Sequence, residues 1–385
     1  MRVYFDHNAT TPVALPVVEA MTRVLSDEFG NPSSIHHFGQ RAKGILDEAR
    51  TAVADLLKAE VSEVVFTSGG TESDNFAIRG VAEALEVTGR RHLVASAIEH
   101  EAVLTTFKAL ARRGWTTTLL PVDTSGIVAP EALAAAMTDQ TVLVSVMHAN
   151  NEIGTVQPIA DLARIAHAGG ALFHTDAVQS VAKIPVDVRA LGADLLSLSA
   201  HKFNGPKGAG ALWIKRGTRI TAILTGGKHE RNRRAGTENV AAIAGLGVAA
   251  ALASGKLTIE AARLSALRDR LENEILARVP HTAVNGARDR RVPNTTNISF
   301  EGVEAESLLI ALDLEGVAVS TGSACSSGTL EPSHVLRAMG FPTHRTQNSI
   351  RLSLGAGNTD EQTDYLLAKL PKVVEKLRAL TGARR

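Results

Sequence analysis

Lys202 follows an apolar run, Leu195-Leu196-Ser197-Leu198-Ser199, and has His201 beside it. A lysine so placed can attack a carbonyl, because burial and neighbouring cations favour the neutral amine. Asp176 ends an earlier apolar run, Leu172-Phe173-His174-Thr175. A carboxylate there could keep a pyridine nitrogen protonated and make the ring an electron sink. A third cluster, Thr67-Ser68-Gly69-Gly70-Thr71-Glu72-Ser73-Asp74, joins a strand-like run to a helical one. Gly69 and Gly70 let the backbone approach a ligand closely, and Thr71 is expected to cap the helix with Asp74 completing a capping box. Free amides at such a helix start favour an anion, by roughly 0.3–1 kcal/mol for the dipole alone, and a phosphate fits. The spacing matches neither the nucleotide P-loop nor the dinucleotide fingerprint.

These residues need a frame that gathers them. Strand-like runs are read at Glu63–Thr67, His92–Ser96, Thr116–Pro121, Thr141–Met147, Leu172–Thr175, Leu195–Ser199 and Gly210–Ile214. Helical stretches such as Glu72–Val87, His100–Arg113 and Ile159–Ala168 lie between several of them. Such alternation argues a mostly parallel seven-stranded sheet with helices on both faces. Ligands bind such sheets beyond the carboxyl ends of the strands. Four runs finish in polar clusters: Glu99-His100, His148 to Glu152, Asp176 to Gln179, and Ser199 to Lys202. Taken singly, Lys202 reads as a surface lysine, Asp176 as a helix N-cap and the glycine loop as an ordinary capped helix. Phosphate loop, aspartate and lysine on one sheet edge together point to pyridoxal 5'-phosphate (PLP).

After the sheet come a Gly/Arg-rich loop from Gly226 to Glu238, an Ala-rich helix from about Asn239 to Ala253, and a charged helix from Thr258 to Arg278. Strand signals at Asn297–Phe300, Val317–Ser320 and Ser349–Leu354 mixed with helices suggest a smaller α+β domain. The expected division is 16–256 for the large domain, with 1–15 and 257–385 forming the small one.

The single cysteine, Cys325, lies in Ser320-Thr321-Gly322-Ser323-Ala324-Cys325-Ser326-Ser327-Gly328, where seven of nine residues are Ser, Gly or Thr. A free cysteine is usually a small buried hydrophobe. This segment offers no apolar face and reads as a mobile loop, so an exposed thiol here is a liability unless its chemistry is used.

The chain has 385 residues, 44% hydrophobic and 21% charged, with 41 Lys and Arg against 40 Asp and Glu. The length suits two or three domains. The balanced charge gives no reason to expect a nucleic-acid partner. No run of about 18 apolar residues predicts a membrane span, and Met1 to Asp6 does not read as a secretory signal. One cysteine excludes an internal disulfide and suits a reducing, cytoplasmic setting.

The ordered motifs resemble those of the fold-type I PLP enzymes, within them the class V aminotransferases, and most closely the cysteine desulfurases of the NifS/IscS kind. They comprise Tyr4–Thr11, Phe29–Ser34, Thr67–Asn75, Met147–Gly154, His174–Ser180, Ser199–Gly208, His229–Asn239, Gly322–Pro332 and Ser349–Leu354, so the likeness runs nearly end to end. The stretch His229–Asn239 leans toward the NifS side. Ala200 and Thr321 stand where the family commonly has Gly and Ser; neither removes a functional group.

The resemblance implies that Lys202 holds PLP covalently and moves the substrate's α-proton. It implies that His100 stacks on the ring and takes part in proton transfer, that Asp176 pairs with the pyridine nitrogen and that Gln179 contacts the ring oxygen. Gly70, Thr71, Ser199 and His201 would hold the phosphate, joined by Thr237 from the other subunit of a homodimer. Asn151, which would also contact the cofactor, and Arg351 would bind the substrate carboxylate, a task that suits the arginine fork on its own grounds. Cys325 would be the nucleophile that takes the sulfur of L-cysteine as a persulfide, releases L-alanine and hands the sulfur to an iron–sulfur scaffold or other carrier. No resident metal is expected; Cys325 alone could contact a nascent iron–sulfur cluster in transit. Selenocysteine lyase, class V transaminase and a non-catalytic docking platform are the competing readings. Cys325 argues against the transaminase, and the intact set of Lys202, Asp176, His100 and Cys325 against the platform.

Overall fold

The computed structural model describes residues 1–322 and 332–380. Seven strands form the central sheet, in the spatial order Val64–Thr67, Gly210–Ile214, Leu195–Ser199, Leu172–Asp176, Thr141–Ser145, His92–Ser96 and Thr116–Leu120. Only Gly210–Ile214 runs against its neighbours. All seven predicted strands are present within a residue or two, and Leu172–Asp176 extends one residue further to take in Asp176 itself.

The sheet is covered on both faces, which explains its continuous apolar runs. Adjacent residues split between layers: Phe66, Val94, Phe173 and Trp213 pack in one core, Val65, Leu93, Leu143 and Leu212 in the other. A separate core, including Phe5, Leu271, Ile298, Phe300, Leu308 and Leu352, surrounds a three-stranded antiparallel sheet of Thr282–Asn285, Thr295–Phe300 and Ser349–Ser353. The amino-terminal segment reaches this second unit, where Val3–Tyr4 pairs in parallel with Val317–Ala318.

Two sequence expectations require correction. The Ala-rich and charged helices are one helix, Val240–Arg278, of 39 residues. Gly255 lies between the two expected helices and has open space around it; one glycine costs only about 1 kcal/mol, which flanking turns packed on both cores offset. Ala249 and Ala250 belong to the sheet's core, whereas Leu264, Leu267 and Leu271 belong to the second. Its first half matches a membrane span by composition, yet half of that window is buried inside the protein.

The second correction concerns the glycine loop. The helix Gly70–Leu85 has Gly69, not Thr71, as its N-cap, without a side-chain capping bond. Gly69 takes a φ of 152°, a conformation that strains any residue with a Cβ. Asp74 is therefore one turn inside the helix and turns into the core, 1% exposed.

Candidate active site

The carboxyl ends of five strands converge on one cleft of about 490 Å³, within the range of small-molecule sites. Gly70, Thr71, His100, Asn151, Asp176, Gln179, Ser199, His201, Lys202 and Arg351 all line it. Thr237 is exposed and lies outside the cleft. Cys325 lies outside the described residues, although Ser320, Thr321 and Gly322 reach the cleft wall.

At one end the helix Gly70–Leu85 points its start into the cleft. Its first amides have no intrahelical acceptor, the usual condition of a helix terminus, and Ser199, His201 and the Thr71 hydroxyl stand beside them. Close packing makes the cradle: a Cβ on Gly210 would lie 2.6 Å from Gly69 Cα and 2.7 Å from the Leu198 carbonyl. The strand feeding this loop is fixed from behind. Buried Glu230 accepts from both Nη atoms of Arg50 at 2.7 Å and from the Phe66 amide at 2.9 Å.

Lys202 Nζ donates to the carbonyls of Asn8 at 2.6 Å and Ala9 at 2.9 Å. Burial and the charge of Arg351 push its amine down from 10.5 to about 8, against the opposing pull of Asp176 and Asp6. The neutral amine is thus accessible near neutrality; the cation that favours it is Arg351, not the adjacent His201 named from the sequence. His201 is held neutral mainly by burial, its imidazole pushed down to about 4, and its Nδ1 lies 3.1 Å from Thr10 Oγ1.

Asp176 is 6% exposed and accepts from the Val178 amide at 2.9 Å. Burial pushes its carboxyl up, while His100, the Val178 amide and Lys202 draw it down. Near it lie two carboxyls that sequence reasoning read otherwise, Asp74 as part of a capping box and Glu99 as part of the strand-end cluster with His100. Burial raises Asp74 well above the ordinary carboxylate range, with Asp176 adding to the effect, and raises Glu99 to about 8. His174 fills the space between strands, its Nδ1 2.8 Å from Ser145 Oγ and its Nε2 2.9 Å from Ser197 Oγ, with burial pushing it to about 3. Neutral neighbours leave Asp176 as the group best placed to carry the negative charge, because nearby Lys202 and His100 favour its ionised form.

His100 caps the helix Glu101–Ala111 by accepting the Ala102 amide on Nδ1 at 3.1 Å. Its ring borders the cleft. Arg351 is 4% exposed; Nη1 donates to the Asn151 carbonyl at 2.9 Å and Nη2 to Asp6 Oδ1 at 2.6 Å. Its Nε has no hydrogen-bond partner among the described residues.

The donor set fits PLP: an amide cradle at one end, a buried carboxylate with suppressed neighbours at the other, and a lysine of depressed basicity between them. The family comparison decides which PLP chemistry this is. The class-V aminotransferase family model matches residues 3–366. A cysteine desulfurase IscS of Dictyoglomus turgidum is 51% identical, the alignment covering 98% of this chain and 96% of that one. The chain belongs to the cysteine desulfurase family.

Two solved structures extend the likeness of this desulfurase. A NifS-like protein superposes with a TM-score of 0.92 at 38% identity, covering 98% of this chain and all of the other (100%). SspA in complex with cysteine gives 0.81 at 36% identity, covering 92% and 99%. The desulfurase fold is thus fold-type I, and the family is PLP-dependent. Among the described residues no group of three or more His, Asp and Glu side chains is placed to hold a metal.

Sequence reasoning missed Asn8 and Lys183 as parts of this site. Asn8 stood in a recognised motif without a role. Lys183 carried a usable signal, a lone lysine between Val181-Ala182 and Ile184.

Proposed function

We propose that this chain is a PLP-dependent cysteine desulfurase that converts L-cysteine to L-alanine, carries the sulfur as a persulfide on Cys325, and delivers it to an acceptor protein of iron–sulfur assembly. The observation that carries the reading is the cleft that Lys202 and Asp176 share with Gly70 and Thr71 of the cradle, supported by the desulfurase relatives. PLP would be held by Asp176 at the pyridine nitrogen, Gln179 at the ring oxygen, Gly70, Thr71, Ser199 and His201 at the phosphate, and Lys202 at the aldehyde carbon, with His100 over the ring. When bound, PLP supplies an electron sink conjugated to the carbon that bears the substrate amine.

The protein's own groups do the rest. Arg351 exchanges its bond to Asp6 for the substrate carboxylate, which the guanidinium can grip through two parallel N–H donors. The Asn151 carbonyl keeps the arginine aimed through Nη1. Lys202 leaves the Asn8 and Ala9 carbonyls and takes the Cα proton, and its depressed basicity lets it return a proton later in the cycle. The Cys325 thiolate attacks the substrate sulfur. A sulfur–sulfur bond forms, the carbon–sulfur bond breaks with its electron pair kept by the carbon fragment, and that fragment is protonated and leaves as alanine.

The working form is a homodimer in which Thr237, exposed and away from its own cleft, serves the neighbouring protomer's phosphate. A reducing cytoplasm suits a lone reactive thiol. The test is to reduce the yellow protein with borohydride and locate the label: it should sit on Lys202, and Lys202→Ala should lower alanine release from L-cysteine by about 10²–10⁴-fold. Label on another residue, or undiminished turnover in the variant, would contradict the reading.

A further inference from the structure

Lys183 is 8% exposed and sits behind the cleft wall. Its Nζ donates to Gln179 Oε1 at 2.5 Å and to Asn8 Oδ1 at 2.9 Å. A lysine amine used in this way makes both acceptors show it their carbonyl oxygens, because an amide nitrogen has nothing to accept with. Gln179 must then turn Nε2 the other way, where it donates to the Asn8 carbonyl at 3.0 Å and keeps its second N–H for the cleft. That same Asn8 carbonyl accepts Lys202 Nζ at 2.6 Å. Asn8 is fixed likewise: its Oδ1 also accepts from Asn294 Nδ2 at 3.1 Å, so its Nδ2 donates to the Asn151 carbonyl at 3.1 Å and Thr295 Oγ1 at 2.8 Å. The Asn151 carbonyl is also the one that aims Arg351.

We propose that Lys183 is a positioning residue: by donating to Gln179 and Asn8 it fixes the polarity of the hydrogen-bond chain that runs through them to Lys202 and Asn151, and so presents Gln179 as a donor to the cofactor's ring oxygen. The proposal rests on the PLP reading above. Burial, seconded by the like charges of Lys202 and Arg351, pushes the Lys183 amine well below the ordinary range. Without Lys183, only the Nε2 bond to the Asn8 carbonyl holds the Gln179 amide in this sense, and the amide turns over more readily to offer oxygen to oxygen.

The readout is the pH midpoint of the cofactor's colour change on the resting enzyme, which turnover does not enter. When the chromophore loses its proton, the ring oxygen takes on full negative charge and depends most on the Gln179 donor. Lys183→Met, close to isosteric but without N–H groups, should therefore raise the midpoint, by about one pH unit for the loss of one such hydrogen bond. Lys183→Arg keeps donors, has room in the cavity behind Lys183 (about 710 Å³), and should stay nearer the parent midpoint.

A double-mutant cycle separates positioning from mere core filling. In a Gln179→Ala background Lys183→Met should move the midpoint no further. An unchanged midpoint in Lys183→Met, or an equal shift in both backgrounds, overturns the proposal while leaving the PLP reading intact. A parent protein that binds no PLP overturns the reading itself. Should Lys183→Met not fold, Lys183→Gln replaces it in the cycle, since its polar but shorter side chain stops short of Gln179 Oε1.

Discussion

Lys202 Nζ lies 2.6 Å from the main-chain oxygen of Asn8, a residue 194 positions earlier in the sequence. The amine at the end of a central strand is therefore held by the amino-terminal segment, not by its own loop. That segment also carries Asp6, the partner of Arg351. The resting site keeps both groups that must meet the substrate bonded to one short stretch of chain.

The depressed basicity of Lys202 has a kinetic signature. The neutral amine is the form that attacks the cofactor aldehyde. With the group pushed from 10.5 to about 8, the rate of colour formation on adding PLP to apoprotein should climb about tenfold per pH unit below 8 and level off above it. A climb that continues to about pH 10 would show an unperturbed lysine.

Cys325→Ala should keep the yellow cofactor and its absorbance spectrum and lose persulfide and sulfide production from L-cysteine. The measurement is sulfide release under a reductant together with thiol-blocking mass spectrometry. Turnover at the parent rate would remove Cys325 from the reaction.

Arg351→Lys should raise the KM for L-cysteine about tenfold or more, with a smaller effect on kcat, because an ammonium cannot reproduce the two-point grip on a carboxylate. Steady-state alanine release across a range of cysteine concentrations checks this. An unchanged KM would place the carboxylate elsewhere.

Glu230→Ala should destabilise the protein by about 3–5 kcal/mol, since it leaves the buried Arg50 guanidinium uncompensated, and should weaken PLP retention because the Phe66 amide loses its acceptor. Urea melts and dialysis against PLP-free buffer give the two numbers. A stability within about 0.5 kcal/mol of the parent would mean that the pair is replaceable by solvent.

Much of the frame was legible because buried strands leave continuous apolar runs, as most of the seven do; the partly exposed, Thr-rich edge strand Thr116–Leu120 is the exception. Ten of the expected site residues could be placed at the cleft because strand ends are local features that topology then gathers. What escaped the sequence was long-range or depended on backbone detail. Asn8 takes its place only once the amino terminus crosses to Lys202. Asp74 looked like a cap because its spacing from Thr71 fits one, but the φ of 152° at Gly69 moves the helix start forward by two residues. The break expected between two helices failed because a single helix can change cores along its length without changing its backbone.

That unbroken helix, Val240–Arg278, also bears on how the protein could be divided. Any truncation that sought to separate the sheet from the smaller unit would sever it and strip apolar side chains from two interiors at once. The first eleven residues, stitched to both units, would be orphaned as well. Neither fragment should form an ordered structure alone, and a binding partner that bent this rod would be felt at the cleft and in both interiors together.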